Sequence, residues 1–221
     1  DDMRYYVVDA FASQPFKGNP AGVCILDEWP DAALMQAIAA ENNLAETAFV
    51  VKRDGYYDLR WFTPEVEMDL CSHATLASAF VVANFVDASA ARIDFHTRSG
   101  VLSVAKSGAL YEMDFPSRKP VCTMAIDSGQ VGAALGATPL ELWQSRDLLV
   151  LVESEEQVCA LAPDFERLKR IPGCFAVIVT ARSDAVTAKG EKVDFVSRFF
   201  APNAGIPEDP VTGSAHSTLI P

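Results

Sequence analysis

Basic residues are scarce in this chain of 221 residues, which has 18 Lys and Arg against 30 Asp and Glu and a formal net charge of −12. No cluster of Lys or Arg relieves that charge along the chain. Because proteins bind nucleic acid through a basic surface, we predict no nucleic-acid partner. An anionic substrate would have to be held by local N–H groups, since the overall field of the protein repels it.

Long apolar runs and cysteine pairs are also missing. No apolar stretch approaches the ~20 residues that a membrane-spanning helix needs, so we expect no membrane span. The chain opens with a strand-like run at residues 4–8 and shows no signal-peptide pattern. The cysteines number five, and no pair has C-x-x-C spacing, which indicates reduced thiols. These features predict a cytoplasmic protein.

Half of the residues are hydrophobic, as in ordinary globular proteins. Residues 74–85 are apolar on every helical face but too few to cross a bilayer, so a helix there must be buried all round and wrapped by a sheet. Residues 31–42 have the spacing of an amphipathic helix. The runs that read as strands are 5–11, 23–26, 46–52, 57–62, 93–96, 101–106 and 110–115. We predict an α/β (α+β) fold with a mostly antiparallel or mixed sheet curled around a central helix from about residue 73.

The second half of the chain repeats this plan loosely. A polar link flanked by Pro116 and Pro120 marks the boundary, which gives predicted domains at residues 1–115 and 116–221. The strands predicted here are 148–152, 175–180 and 194–200, and the helices are 131–136 and 159–168. The chain stops where a second central helix should begin, so we expect the second of two pseudo-symmetric halves to be incomplete after residue 221.

Two short segments, Asp69–Leu76 and Asp209–His216, share one pattern: an acid, small residues, a histidine and an apolar residue or run. Small residues before a helix leave its first backbone N–H groups free to bind an anion. Moving a proton between two carbons needs a group that takes it and returns it, and a buried carboxylate suits that role because desolvation raises its pKa. Glu46, in an apolar segment, is our candidate.

Four blocks of sequence resemble the PhzF family, the phenazine-biosynthesis isomerase group with a diaminopimelate-epimerase-like fold. They are Phe16-x-Gly-Asn-Pro-Ala-Gly-Val23, Asn43-Leu-x-Glu-Thr-Ala-Phe49, Phe62-Thr-Pro64 with Leu70-Cys-x-His-Ala-Thr-Leu76, and Ser197-Arg-Phe-Phe-Ala-Pro202 with Glu208-Asp-Pro-Val-Thr-Gly-Ser-Ala-His216. The resemblance implies two similar halves with the active site in the cleft between them, a homodimer, a small carboxylated metabolite as substrate, and no cofactor or metal.

The same resemblance assigns roles to individual residues. Glu46 matches the acid/base glutamate of the family, and His73 and Asp209 match polar residues that assist it. The residues that match substrate-binding positions are Asn19, Ser72, Ala74, Thr75, Gly213, Ser214 and Ala215. Ser72 departs from the family, which usually has Gly there, and a hydroxymethyl group at this position narrows the pocket or adds a donor for a different substrate.

Other interpretations of these residues remain open. The same cleft could bind a carboxylated metabolite without turnover, or Cys71 and His73 could form a thiol hydrolase, since a helix N-terminus lowers the pKa of a thiol. We interpret Cys71 as a packing residue, because the second segment offers no matching Cys. Likewise His96 and His216 are expected to be structural. A metal site formed by His73, His216, Asp209 and Glu46 matches no known ligand spacing, so we predict none.

Overall fold

The computed structural model describes residues 3–14, 16–187 and 190–220. Contacts divide the chain into two units, one of Asp1–Pro116 with Val211–Ser214 and the other of Ser117–Pro210 with Ala215–Pro221. The segment Val211–Ser214 therefore belongs with the first unit although it lies near the end of the sequence. The domain division at residue 115 stays a prediction.

The first unit is a mixed sheet with two helices. Its strands are β1 (Arg4–Ala10), β2 (Asn19–Leu26), β3 (Glu46–Lys52), β4 (Tyr57–Phe62), β5 (Glu67–Met68), β6 (Arg92–Thr97), β7 (Gly100–Ser107) and β8 (Leu110–Met113). The strand order is β1-β2-β3-β4-β6-β7-β8, with β5 also paired to β4. The pairs β2–β3 and β4–β6 are parallel, and the others are antiparallel. Helix α1 (Ala32–Asn42) joins β2 to β3, and α2 (Ser72–Val81) joins β5 to β6.

The two helices cover opposite faces of this sheet. Successive side chains of a strand point to opposite faces. Ala21 and Val23 of β2 therefore pack in the core around α2, whereas Cys24 and Leu26 pack with Met35 of α1. Because both faces are buried, β2 and β3 read as nearly continuous apolar runs, and the alternation that would identify each face is hidden in the sequence.

The prediction that the central helix is buried all round is wrong at its C-terminal end. Phe80 and Phe85 are 39% and 53% exposed, and Val82–Val86 form a π-helical turn that continues from α2. Within the described residues β1 and β8 are the two edges of the sheet, and both contact α2. The sheet does not close, so the helix is left open on this side, where the rings of Tyr6 and Phe85 stack at 5.0 Å.

The second unit is a six-stranded sheet. Its strands are β9 (Val121–Cys122), β10 (Glu141–Gln144), β11 (Leu148–Leu151), β12 (Val177–Arg182), β13 (Phe195–Ala201) and β14 (Ile206–Asp209), in the order β14-β13-β12-β11-β10-β9. Only β11 and β12 are parallel among these described pairs. Its helices are α3 (Ser128–Leu135), α4 (Glu155–Ala160), α5 (Phe165–Leu168) and α6 (His216–Leu219). Its core joins Val131 and Leu135 of α3 to Leu148 and Val150 of β11.

Two predictions for the second unit need correction. The single helix expected at 159–168 is two helices, α4 and α5, because Pro163 cannot continue a helix and Asp164 caps α5 by accepting a hydrogen bond from the Arg167 N–H. Strands β10 and β14 were missed, since Glu141 and Glu208 make these short segments look like polar loop. The connection between β12 and β13 contains a bridge between Val186 and Lys192, and residues 188 and 189 lie outside the described part.

In the part of the chain that the structure describes, none of the helices has both the length and the apolar character required to cross a bilayer.

Packing around α2 predicts a stability effect. Ala77 is 1% exposed in the core between α2 and the sheet, so an Ala77→Leu side chain has no free space and should lower the free energy of unfolding by about 1–3 kcal/mol. Ala40→Leu makes the same change on the exposed side of α1 and should shift stability by about 0.5 kcal/mol or less. Urea denaturation of both variants measures the difference, and equal stabilities would contradict close packing around Ala77.

Candidate active site

The register of β2 and β3 places two predicted site residues on the face that α2 covers. Glu46 begins β3 and shares a face with Ala48 and Val50, which pack in the core around α2. The parallel register pairs Ala21 with Glu46, and Asn19 lies two residues before Ala21 on the same face. The first residues of two neighbouring strands therefore present a carboxylate and an amide on the inner side of the sheet.

Helix α2 supplies the second part of the site. It begins at Ser72, one residue before the expected start, and its first four residues, Ser72 to Thr75, are buried. The Cys71 side chain occupies the N-cap position without capping a backbone N–H group. Instead, the Thr75 hydroxyl donates a hydrogen bond to the Cys71 carbonyl at 2.5 Å. The first N–H groups of a helix lack partners within the helix and carry the positive end of its dipole, so this buried terminus suits an anionic group.

Glu46, His73 and Cys71 form a buried cluster at this terminus. The Oε2 atom of Glu46 lies 3.3 Å from Nε2 of His73, and the Sγ atom of Cys71 lies 3.5 Å from Nδ1 of the same ring. The three residues are 6%, 2% and 4% exposed. The imidazole thus stands between the carboxylate, which lies by Nε2, and the thiol, which lies by Nδ1. The sequence analysis expected His73 to assist Glu46 and left a pairing of Cys71 with His73 open as an alternative, while it interpreted Cys71 as a packing residue.

Burial sets the charge of His73. It lowers the pKa of the imidazole to about 4, while a hydrogen bond to the Pro20 backbone opposes part of that shift. At neutral pH the ring is therefore uncharged and offers one N–H donor and one lone pair. His73 can polarise or orient the Glu46 carboxylate, but it does not form an ion pair with it at neutral pH.

The cluster also has the ligand types of a metal site. One ligand atom from each of Glu46, Cys71 and His73 lies within 4.8 Å of the others, and zinc accepts all three residue types. The thiol and the carboxylate contact opposite nitrogens, so a single ion would have to draw both to one side of the ring. The four-residue metal site considered in the sequence analysis would also need Asp209 and His216, which belong to the second unit.

The segment Val211–Ser214 packs in the first unit through two specific contacts. Asn19 Nδ2 donates a hydrogen bond to the Val211 carbonyl at 3.0 Å. A Cβ atom on Gly213 would lie 2.7 Å from Cβ of Ser72 and 3.0 Å from the Phe11 ring, so only glycine fits there. The structure thus brings Ser72 and Gly213 together, and the hydroxymethyl group of Ser72 occupies the space between these two segments.

The other predicted site residues are placed by the structure as follows. Ala74 accepts a hydrogen bond on its carbonyl from the Ser78 hydroxyl at 2.7 Å, and Ser214 is buried in the first unit. Asp209 and Ala215 belong to the second unit, where Asp209 ends β14 opposite Phe199. Substrate binding by these residues, and catalysis by Glu46, His73 and Asp209, therefore stay predictions.

The lowered pKa of His73 predicts a pH dependence of stability. Between pH 6.5 and about 4 the unfolded chain binds a proton at this position and the folded chain does not. Stability therefore falls as the pH is lowered through that window, by about 3 kcal/mol from this one group. In His73→Gln that contribution disappears. Urea denaturation at a series of pH values compares the two proteins, and parallel stability curves would show that the imidazole is not desolvated.

Known proteins resemble this chain along its whole length. The profile of the PhzC-PhzF family, described as phenazine biosynthesis-like protein, matches residues 8–221. An uncharacterized isomerase of Pseudomonas aeruginosa is 51% identical over 220 residues, which cover 100% of this chain and 81% of that protein. The crystal structure of a PhzF-family phenazine biosynthesis protein from Enterococcus faecalis matches with a TM-score of 0.88 and 48% identity, covering 99% of this chain and 81% of the other.

A more distant likeness concerns the fold alone. A probable proline racemase from Agrobacterium radiobacter matches with a TM-score of 0.61 at 9% identity, over 99% of this chain and 76% of that protein. Together with the nearer relatives, it confirms the predicted epimerase-like fold. The chain belongs to the PhzC-PhzF family of phenazine biosynthesis-like proteins.

Proposed function

We propose that this protein is an isomerase that moves a proton between carbon atoms of a small carboxylated metabolite, with Glu46 as both base and acid. The observation that carries the proposal is the 3.3 Å contact between the buried carboxylate of Glu46 and the neutral ring of His73. A carboxylate in such a place has lost most of its hydration, which makes it a better base than one in water.

The surroundings of Glu46 suit this chemistry. Removal of a proton next to a carbonyl or an unsaturated carbon leaves negative charge on the substrate, and the N-terminus of α2 offers N–H groups and a positive dipole end to such charge. Glu46 then returns the proton at another carbon. His73 and Asp209 assist by hydrogen bonding, and residues 72–75 and 213–215 hold the substrate carboxylate. This scheme uses no metal and no cofactor.

The relatives support the reaction class. Proteins that are 51% and 48% identical, both from Pseudomonas aeruginosa, and one that is 44% identical from Halalkalibacterium halodurans are named as uncharacterized isomerases. The family name makes trans-2,3-dihydro-3-hydroxyanthranilate the first substrate to test. The side chain of Ser72 against Gly213 favours a metabolite of different shape. A homodimer in the cytoplasm is part of the same proposal.

Replacing Glu46 tests the mechanism. We expect Glu46→Gln to lower turnover by about 100-fold or more, because an amide cannot accept the proton. The measurement is proton NMR in D2O with trans-2,3-dihydro-3-hydroxyanthranilate, following conversion and deuterium incorporation at carbon. Glu67→Gln is the matched control, since it makes the same change in the same unit at a residue paired with Arg60 and Arg98. Full turnover by Glu46→Gln would rule out the proposed role.

A thiol hydrolase is the second candidate, favoured by the 3.5 Å contact between Cys71 and His73. Nucleophilic cysteines need a neighbouring base or cation. A histidine with a pKa of about 4 is a weak base and carries no charge at neutral pH, which favours the isomerase.

Cys71→Ala and Glu46→Gln together separate the candidates. For the isomerase we expect Cys71→Ala to retain measurable turnover in the D2O assay while Glu46→Gln does not. An ester-hydrolysis assay run beside it should then show no hydrolysis that depends on Cys71. Hydrolysis that needs Cys71 and survives Glu46→Gln would establish the thiol enzyme. A binding protein would retain the ligand without exchanging its C–H protons in either variant.

A further inference from the structure

The ring of His73 has a carboxylate and a thiol at its two nitrogens. It also forms a hydrogen bond with the Pro20 backbone, in which the ring is the donor because proline has no backbone N–H. A neutral imidazole carries its proton on either Nδ1 or Nε2, and the choice is set by the partner of the other nitrogen. Here the carboxylate of Glu46 lies by Nε2 and the thiol of Cys71 lies by Nδ1. Which nitrogen carries the proton decides whether Glu46 faces an N–H group or a lone pair.

The carboxylate of Glu46 favours a proton on Nε2 of the ring. An ionised carboxylate only accepts hydrogen bonds. A lone pair on Nε2 at 3.3 Å would repel it, in a place where burial weakens screening by water. An ionised Glu46 therefore favours the Nε2–H tautomer, which leaves the lone pair on Nδ1, and a second interaction at Nδ1 adds to that preference.

The thiol of Cys71 can donate a hydrogen bond to Nδ1. An S–H group is a weak donor, and its sulfur lies 3.5 Å from Nδ1. Cys71 is also held in place: its backbone is extended at the N-cap of α2, and its carbonyl accepts the hydrogen bond from the Thr75 hydroxyl. A thiol donor held beside Nδ1 favours the tautomer that has its lone pair on Nδ1 and its proton on Nε2.

We propose that Cys71 is a positioning residue of the isomerase, whose thiol donates to Nδ1 of His73 and thereby keeps the ring proton on Nε2, the nitrogen that lies 3.3 Å from the Glu46 carboxylate. This inference rests on the proposed function and adds a residue to it. It differs from the thiol hydrolase, because the proton stays on sulfur and no bond to sulfur forms. It also explains how a second thiol can be absent from Val211–Ser214 while Cys71 still has a role.

The test reads the tautomer directly. Protein with 15N-labelled histidine gives distinct nitrogen signals for protonated and unprotonated ring positions, and His73→Gln assigns the His73 signals among those of the three histidines. At pH 7 we expect wild-type His73 to be the Nε2–H tautomer alone. Cys71→Ala should show both tautomers, and Cys71→Ser, which keeps a donor, should restore the single form.

Cys24→Ala is the matched control. Cys24 is as fully buried, and burial raises the pKa of its thiol to about 12, but it packs with α1 on the other face of the sheet. We expect this variant to lose a buried thiol without a change at His73. An Nδ1–H tautomer in the wild type, or an unchanged single tautomer in a folded Cys71→Ala protein, would overturn the proposal.

Turnover provides a separate readout. With trans-2,3-dihydro-3-hydroxyanthranilate as the probe, Cys71→Ala should lower kcat by about tenfold and leave KM unchanged, since the substrate does not touch the thiol. Failure of the proposed function would show as activity that survives Glu46→Gln. The tautomer is measured without substrate, so the two failures are distinguishable.

Discussion

The desolvated contact between Glu46 and His73 is the constraint on which the site depends. Removing a carboxylate and an imidazole from water is unfavourable, and the neutral state of His73 is how the protein avoids burying an ion pair. The contact exists because β3 begins at Glu46 with its side chain on the inner face. His73, the second residue of α2, brings its imidazole within 3.3 Å of that carboxylate. A shift of one residue in β3 would turn the carboxylate to the face covered by α1.

The small side chains of α2 serve the same arrangement. Ala74, Ala77 and Ala79 are almost fully buried and let the helix lie close to β2 and β3. A helix lined with larger residues would stand farther from the sheet, and the imidazole would no longer reach the carboxylate. The small residues of α2 therefore determine both the close packing of the core and the contact between His73 and Glu46.

The sequence was sufficient to predict most strands of the first unit and the helix at their centre, because these elements are long and strongly apolar. Strands β3 and β4 were predicted with the observed ends. The open side of α2 could not be foreseen, since whether a sheet closes depends on pairing between β1 and β8, and Phe80 looks like any core residue. The roles of Glu46 and His73 came from motif resemblance, whereas a Cys71–His73 pairing was one open alternative and only the geometry of the helix start shows that the two side chains are in contact. In the second unit, a single proline divided a predicted helix and short polar strands were taken for loops.

The return of Val211–Ser214 to the first unit has a consequence for the order of events during synthesis. The hydrogen bond from Asn19 to Val211 joins residues 192 positions apart, and Gly213 meets Ser72 across a shorter but still long span of chain. Domains usually fold as they leave the ribosome, N-terminal part first. Here the early unit can assemble its sheet and helix, but it acquires this last piece only after almost all of the sequence shown has emerged. A nascent chain cut short before residue 211 would carry Glu46 beside His73 with nothing seated against Ser72.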